Sequence, residues 1–341
     1  MNDPGLPTPV LEIGGTHVTA ALVLHAAGTW RVVAGSVVRR DLDAHAPAEP
    51  LLDALAAAAD SLGAGHTRRW GVALPGPFDY ANGIARYEHV GKFDQLQGVD
   101  VGAGLAARLG RGLNAITFLN DADAFGIGEV ALGAAGLSRR AVCITLGTGV
   151  GSSFLADGLP VKTGADVPPD GSCYLLDYRG RPLEDTASRR AIRRAYAAAA
   201  GTPGTAPAGS TAVGSNAVGS TAVVEPSGGR AQQADAGTPD VRDIAEASRG
   251  GDAVAAAVLE NAFAAVGEAA GPYLARFGAE VLIVGGSMAG SWDIVEPAIR
   301  KGLAAAAPGL GTLALRKAER SEEAGLVGAA YWAQQAGARQ P

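Results

Sequence analysis

Cysteine is almost missing from this chain. Among 341 residues only Cys143 and Cys173 are cysteines, far apart and without neighbouring partners. That excludes a disulfide framework and a cysteine-rich zinc cluster, and it suits a reducing compartment. Excess positive charge is missing as well. Lys and Arg number 28 against 34 Asp and Glu, for a net charge of -6, so the electrostatic footprint of a nucleic-acid or anionic-membrane binder is absent. Charged residues or glycines interrupt the apolar runs before they reach membrane-spanning length. The segment Met1 to Pro9 has neither the basic start nor the apolar core of a secretory leader. The expectation is a cytoplasmic protein acting on a small molecule, with no nucleic-acid or membrane partner. The first strand is expected to begin by about Val10, so a preceding helix-turn-helix is not expected. The length permits two domains and a substantial core.

What the chain does contain is organised around Leu119-Asn120-Asp121-Ala122-Asp123. A strand-like run, Ala115 to Leu119, ends there in amide and carboxylate, and a helix-like run, Ala124 to Leu132, follows at once. Asn and Asp in such a place cap helices. A carboxylate where a sheet edge meets a helix N-terminus is also where open α/β folds bind ligands. Two glycine turns flank this stretch in the sequence. Gly14-Gly15-Thr16-His17 separates Val10–Ile13 from Val18–Leu24, and the run Trp30 to Val38 extends that hairpin. Gly147-Thr148-Gly149 separates Arg140–Leu146 from Val150–Ala156. Strand, glycine turn and strand thus occur twice. Glycine turns let backbone N–H groups approach phosphate oxygens, with a Thr hydroxyl as an added donor. Two such turns and one carboxylate suggest phosphoryl transfer.

Leu51, Leu55, Ala58 and Leu62 form a helical stripe that begins after Pro47 and Pro50 and ends at Gly63. The strand Trp70 to Leu74 runs into Pro75-Gly76-Pro77, and a polar loop carrying Asp79, Asn82, Arg86, Glu88 and His89 follows. Glu184-Asp185-Thr186-Ala187-Ser188 precedes a helix from about Arg189 to Ala200, whose arginines 189, 190, 193 and 194 form a basic stripe. Residues 201–240 are rich in Gly, Ala, Ser, Thr and Pro and include near-repeats such as Gly-Ser-Thr-Ala-Val. This composition has too few bulky apolar groups to offset ordering entropy, so a disordered insertion is expected. Helical periodicity returns at Val241 and ends near Gly271-Pro272. A strand from Glu280 to Val284 then meets Gly285-Gly286-Ser287-Met288. Trp292–Ala307 reads as helix, Thr312–Leu315 as strand and Glu322–Gln335 as a closing helix.

Taken together these motifs resemble the ROK family of sugar kinases, within the actin-like, hexokinase-like ATPases. Leu11-Glu12-Ile13-Gly14-Gly15-Thr16 resembles the first phosphate motif, Asn120-Asp121-Ala122-Asp123 the catalytic motif, Leu146-Gly147-Thr148-Gly149-Val150-Gly151 the second phosphate motif, and Gly285-Gly286-Ser287 the adenosine motif. The resemblance implies an α/β, two-domain actin-like (ribonuclease H-like) fold with duplicated βββαβαβα halves around a cleft. Residues 1–119, completed by helix 322–337, would form one domain and 120–321 the other. It further implies ATP and Mg²⁺ as cofactors, Asp121 as general base, and Asn120, Gly76 and Asp170 on the acceptor. Gly14, Gly15, Thr16, Thr148 and Gly149 would lie on phosphates, and Gly285, Gly286 and Ser287 on the nucleoside. A homodimer is an open possibility.

Three departures from the family pattern bear on specificity. Glu12 stands where the first phosphate motif begins with Asp, so its extra methylene displaces any oxygen linked to Mg²⁺ through water. The zinc motif of many relatives is missing, so no structural zinc is expected. The Glu-x-Gly-His element that clamps the anomeric side of glucose is also missing, with Pro169-Asp170-Gly171-Ser172-Cys173 in its approximate place. The acceptor expected from this is a modified sugar or a C7-cyclitol of the valiolone type. Glucose or an amino-hexose is the alternative, and polyphosphate, held by the arginine stripe, is an alternative donor. A non-catalytic sugar-binding regulator is the rival of another class.

Overall fold

The computed structural model describes residues 5–110, 115–201 and 238–338. The first sheet begins with a hairpin of β1 (Thr8–Ile13) and β2 (His17–Ala26), closed at Gly14, whose N–H donates to the His17 carbonyl at 2.9 Å. The run expected as one strand from Trp30 to Val38 is two, β3 (Thr29–Val32) and β4 (Val38–Asp41). Gly35, at φ 74, turns the chain between them, so the two pair with successive halves of β2. Helix α1 (Ala48–Asp60) buries the expected face, including Leu51, Leu55 and Ala58. Strand β5 (Arg69–Leu74) then lies parallel to β1. A small hairpin, β6 (Phe78–Asp79) and β7 (Ile84–Ala85), and helix α2 (Val101–Leu109) lead to β8 (Ala115–Asn120), parallel to β5. The sheet order is β3-β2-β1-β5-β8, with β4 also paired to β2.

After helix α3 (Asp121–Ala131) the pattern repeats. Strands β9 (Arg140–Leu146) and β10 (Val150–Ala156) form the second hairpin, and β11 (Leu159–Pro160) adds to its edge. Helices α4 (Glu184–Ala187), α5 (Arg189–Ala200), α6 (Val241–Arg249) and α7 (Ala253–Phe277) follow. Strand β12 (Val281–Gly285), helix α8 (Trp292–Ala306) and strand β13 (Ala314–Lys317) complete a sheet ordered β11-β10-β9-β12-β13. The last helix, α9 (Ser321–Ala338), packs back on β1 and β5 of the first sheet. The duplicated halves of an actin-like fold are therefore present.

Three helical and strand expectations need correction. The helical segment from Val241 breaks at Gly250-Gly251, where Asp252 caps a new helix by accepting from the Val254 and Ala255 N–H groups. Gly271-Pro272 does not end that helix. Burial of Leu274 and Phe277 carries it past the proline, and it stops at Gly278, at φ 67. The strand expected over Thr312–Leu315 is shifted, because residues 310–312 form a 3-10 turn before β13. Helix α7 is long and apolar enough to cross a membrane. Here its apolar face, including Leu259, Phe263 and Val266, is core. The insertion assigned to 201–240 lies almost wholly outside the described residues.

The two halves meet where α3 crosses α9. The backbones touch there: a Cβ on Gly128 would lie 1.8 Å from the Ala324 carbonyl oxygen, and one on Gly328 equally close to that of Ala124. Only glycine permits this approach. The crossing sets α3, and with it residues 120–123, against both sheets.

Candidate active site

Three parallel strands end side by side at one edge of the first sheet. Glu12 pairs with Ala73, and Leu74 pairs with Asn120, so Glu12, the Pro75-Gly76-Pro77 loop and Asn120-Asp121 share that carboxyl edge. Asn120 caps α3: its Oδ1 accepts from the Ala122 N–H at 3.0 Å and the Asp123 N–H at 3.4 Å. The capping role belongs to the amide, and Asp121 is released from it. Asp121 Oδ1 accepts only from the N–H of Ala122, at 2.9 Å, so its outer lone pairs are uncommitted among the described residues.

Asn120 Nδ2 donates to Tyr80 Oη at 3.1 Å, and Tyr80 in turn donates to the Leu74 carbonyl at 3.3 Å. Tyr87 Oη donates to the Pro75 carbonyl at 2.7 Å. The two tyrosines hold the loop that contains Gly76, and a Cβ on Gly76 would stand 3.3 Å from Tyr80 Oη. Neither tyrosine was singled out in the sequence, because each acts on the loop by a contact invisible to local pattern.

Asp123 is fully engaged. It is 4 % exposed, Oδ1 accepts from Ser153 Oγ at 2.8 Å, and Oδ2 pairs with Lys162 Nζ at 2.5 Å. Of the two carboxylates on this turn, only Asp121 is available to a substrate. Burial pushes the Asp121 carboxyl above the ordinary range, opposed by the Ala122 N–H and by Lys92 and reinforced by Asp123. Its side chain is nonetheless reached by solvent. Asp121 is thus a raised yet accessible carboxylate, the combination that a proton acceptor needs. Glu12 rises to about 7, first through burial and then through repulsion from Asp121, with Arg39 acting against both. The two neighbouring carboxylates thus raise each other's tendency to hold a proton, with Lys92 and Arg39 acting against it.

The second sheet presents an equivalent edge. Gly285 pairs with Thr145, which sets Gly286-Ser287 beside Leu146-Gly147, and a Cβ on Gly147 would lie 3.7 Å from Ser287 Oγ. Gly285 and Gly286 have packing reasons of their own. The Phe125 ring fills the space a side chain at Gly285 would need, and Gly286, at φ 84, passes against the Leu146 backbone. The second glycine turn is held by Glu184, expected from the sequence only as part of the run before α5, whose Oε2 accepts from the Val150 N–H at 3.0 Å. The Arg189 N–H donates to the Gly147 carbonyl at 2.9 Å. Thr16 and Thr148 are exposed at the tips of the two turns.

Asp170, at φ 54, lines a groove with Lys162, Tyr273 and Arg276. No hydrogen bond or ion pair links it to Asn120 or Asp121 among the described residues. Its segment is organised by buried Ser152, whose Oγ donates to the Gly171 carbonyl and accepts from the Cys173 N–H, both at 2.8 Å. Burial pushes the Cys173 thiol up to about 12, and among the described residues no three His, Cys, Asp or Glu side chains cluster as a metal site. The arginine stripe on α5 is a tether. Arg189 forks onto Asp240, Arg193 donates to the Thr238 and Pro239 carbonyls, and Arg190 pairs with Asp185.

A family model described as the ROK family matches residues 9–336. The chain is 28% identical over 272 residues to a glucokinase from Thermotoga maritima, covering 76% of this chain and 77% of that protein. Among solved structures, the ROK hexokinase from Thermus thermophilus superposes with a TM-score of 0.71 at 22% identity, covering 98% of this chain and 100% of the other. A ROK family glucokinase from Streptomyces griseus, in complex with glucose and AMPPNP, superposes with a TM-score of 0.68 at 22% identity, covering 96% and 99%.

Proposed function

The chain belongs to the ROK family, and from that membership and the geometry at Asp121 we propose an ATP- and Mg²⁺-dependent kinase acting on the exocyclic primary hydroxyl of a hexose-like ring. One observation carries the reading. Asn120 caps α3 and Lys162 occupies Asp123, which leaves Asp121 as the carboxylate of this turn without an ion pair among the described residues.

Asp121 accepts the proton of the acceptor hydroxyl. The acceptor oxygen bonds to the γ-phosphorus while the bond from that phosphorus to the bridging oxygen breaks, ADP departs, and Asp121 later returns its proton to water. Asn120, steadied by Tyr80, and the Gly76 backbone line the acceptor. Gly14, Gly15 and Thr16 on one side, with Thr148 and Gly149 on the other, offer donors to phosphate oxygens. Gly285, Gly286 and Ser287 face the nucleoside. Glu12, through a water, would hold Mg²⁺, which keeps most of its waters and needs only one or two carboxylates besides phosphate oxygens. Bound there, the ion would neutralise charge on the transferred group.

For the acceptor we favour a modified sugar or a C7-cyclitol over glucose. The Pro169–Cys173 segment supplies no glucose clamp, and Asp170 faces a groove lined by Tyr273 and Arg276. Buried hydroxyls left unpaired cost about 1–3 kcal/mol each. The similarity to a glucokinase favours the alternative reading. Specificity constants for glucose, amino-hexoses and C7-cyclitols, with ATP and then polyphosphate as donor, decide between them. The cyclitol reading falls if glucose gives the highest value, and the kinase reading falls if nothing turns over.

A further inference from the structure

Lys92, Lys162, Lys301 and Lys317 are all the lysines in the chain. Lys162 and Lys301 each hold a carboxylate. Lys92 forms no ion pair among the described residues, although it is half-buried and lies at the edge where Asp121 and the first glycine turn meet. Its stem runs over Gly15, where an added Cβ would lie 3.5 Å from Lys92 Cδ.

The segment that carries it is built with care. Phe93, buried and held at φ 60, donates its N–H to the Ala44 carbonyl at 2.8 Å. The Asp94 carboxylate accepts from the Val90 and Gly91 N–H groups at 3.0 and 3.2 Å, clamping the turn on the other side. His89, at φ 57, and Gly91, at φ 78, are left-handed too, so alternate residues from 89 to 93 take that conformation. Non-glycine residues adopt this backbone at a cost, and such positions gather at functional sites. The strained turn, pinned at both ends, presents one long cation between a glycine turn and a free carboxylate.

We propose that Lys92 is a further catalytic residue, whose ammonium binds the γ-phosphoryl oxygens between the Gly14-Gly15-Thr16 turn and Asp121 and neutralises charge there during transfer. This deepens the kinase reading and rests on it. An ammonium at that point acts as a point charge on the phosphoryl group, in a place where positioning and electrostatics supply most of the catalysis.

The test compares Lys92→Met, which keeps the stem over Gly15, with Lys92→Arg, which keeps the charge, and with Lys92→Gln as a second neutral variant should Met fail to fold. With the best acceptor of the panel, kcat should fall about 10²–10³-fold in the neutral variants, the loss typical of one transition-state donor. The acceptor KM should stay within a few-fold, and Lys92→Arg should recover most of the rate. Calorimetric binding of AMPPNP and ADP supplies a readout that needs no turnover. The preference for the triphosphate should drop roughly tenfold in Lys92→Met, as expected when a cation on the terminal phosphate is lost. A kcat within threefold of the parent, a rise confined to the acceptor KM, or an unchanged AMPPNP-to-ADP ratio would each overturn the assignment. If the parent turns over no acceptor, the kinase reading fails on its own and the binding ratio still decides the role of Lys92.

Discussion

Replacing Glu12 by Gln should remove a pH dependence of stability that the fold itself creates. The Glu12 carboxyl rises from 4.5 to about 7 because it is buried and stands beside Asp121. The folded state therefore keeps its proton over a range in which the unfolded chain has lost it. For a carboxyl raised in this way, the stabilising contribution is present below the unfolded value and disappears as pH rises through the folded one. The full linkage is about 3 kcal/mol, and roughly 2 kcal/mol of it falls between about pH 5.5 and 7.5. Glutamine has nearly the same shape and cannot ionise, so it keeps the packing against Gly325 of α9 without the charge. Urea unfolding of the nucleotide-free protein should thus show parent stability falling from pH 5.5 to 7.5. The Glu12→Gln variant should vary far less and be the more stable of the two at the alkaline end. Asp121, also raised by burial, contributes in the same direction and stays in both proteins, so the difference between them isolates Glu12 and its coupling to Asp121. Parallel pH profiles for the two proteins would refute the reasoning.

Two further outcomes follow from the same contacts. Asp123→Asn should cost roughly 1–3 kcal/mol in urea unfolding, less than a fully buried pair, because the Lys162 side chain is 38% exposed and can reach water. Its kcat should remain within about tenfold, since the proposed base is Asp121, and a loss of turnover without loss of stability would count against that assignment. Replacing residues 202–237 by a short Gly/Ser linker should leave folding and turnover within a few-fold of the parent. The flanking chain is tied to α5 by Arg189 and Arg193, and loop closure costs grow slowly with length. Cooperative loss of folding in that variant would show instead that the segment belongs to the core.

Local pattern carried much of this architecture. The two hairpins were legible because β-branched runs flank glycine turns, and β9, β10 and α5 begin and end where the residues place them. The carboxylate at the strand-to-helix junction was legible for the same reason. Local pattern could not divide the labour within Asn120-Asp121-Ala122-Asp123. That division depends on Tyr80, Ser153 and Lys162, which reach the junction from distant segments. Lys92 was hidden likewise, since its placement over Gly15 is a product of tertiary folding. The proline in α7 misled because helix propensity is a local preference, and burial of Leu274 and Phe277 outweighs it. The break at Gly250-Gly251 was missed because apolar residues on both sides continue a helical period across it. The α3–α9 crossing involves residues about 200 apart in the chain, and only close contact reveals why Gly128 and Gly328 lack side chains.

The central claim is that Asp121 is the base, and Asp121→Asn tests it most directly. Asn120 supplies the helix cap, so this substitution should leave folding and nucleotide affinity nearly intact. An amide cannot take the acceptor proton, and loss of a positioned base costs roughly 10²–10⁴-fold. The measurement is kcat for Asp121→Asn and Asp123→Asn side by side, with the best acceptor and saturating ATP. The account predicts a fall of at least 10²-fold for Asp121→Asn alone, with its melting transition no lower than the parent's and its AMPPNP affinity preserved. Equal, modest losses in the two variants would contradict it.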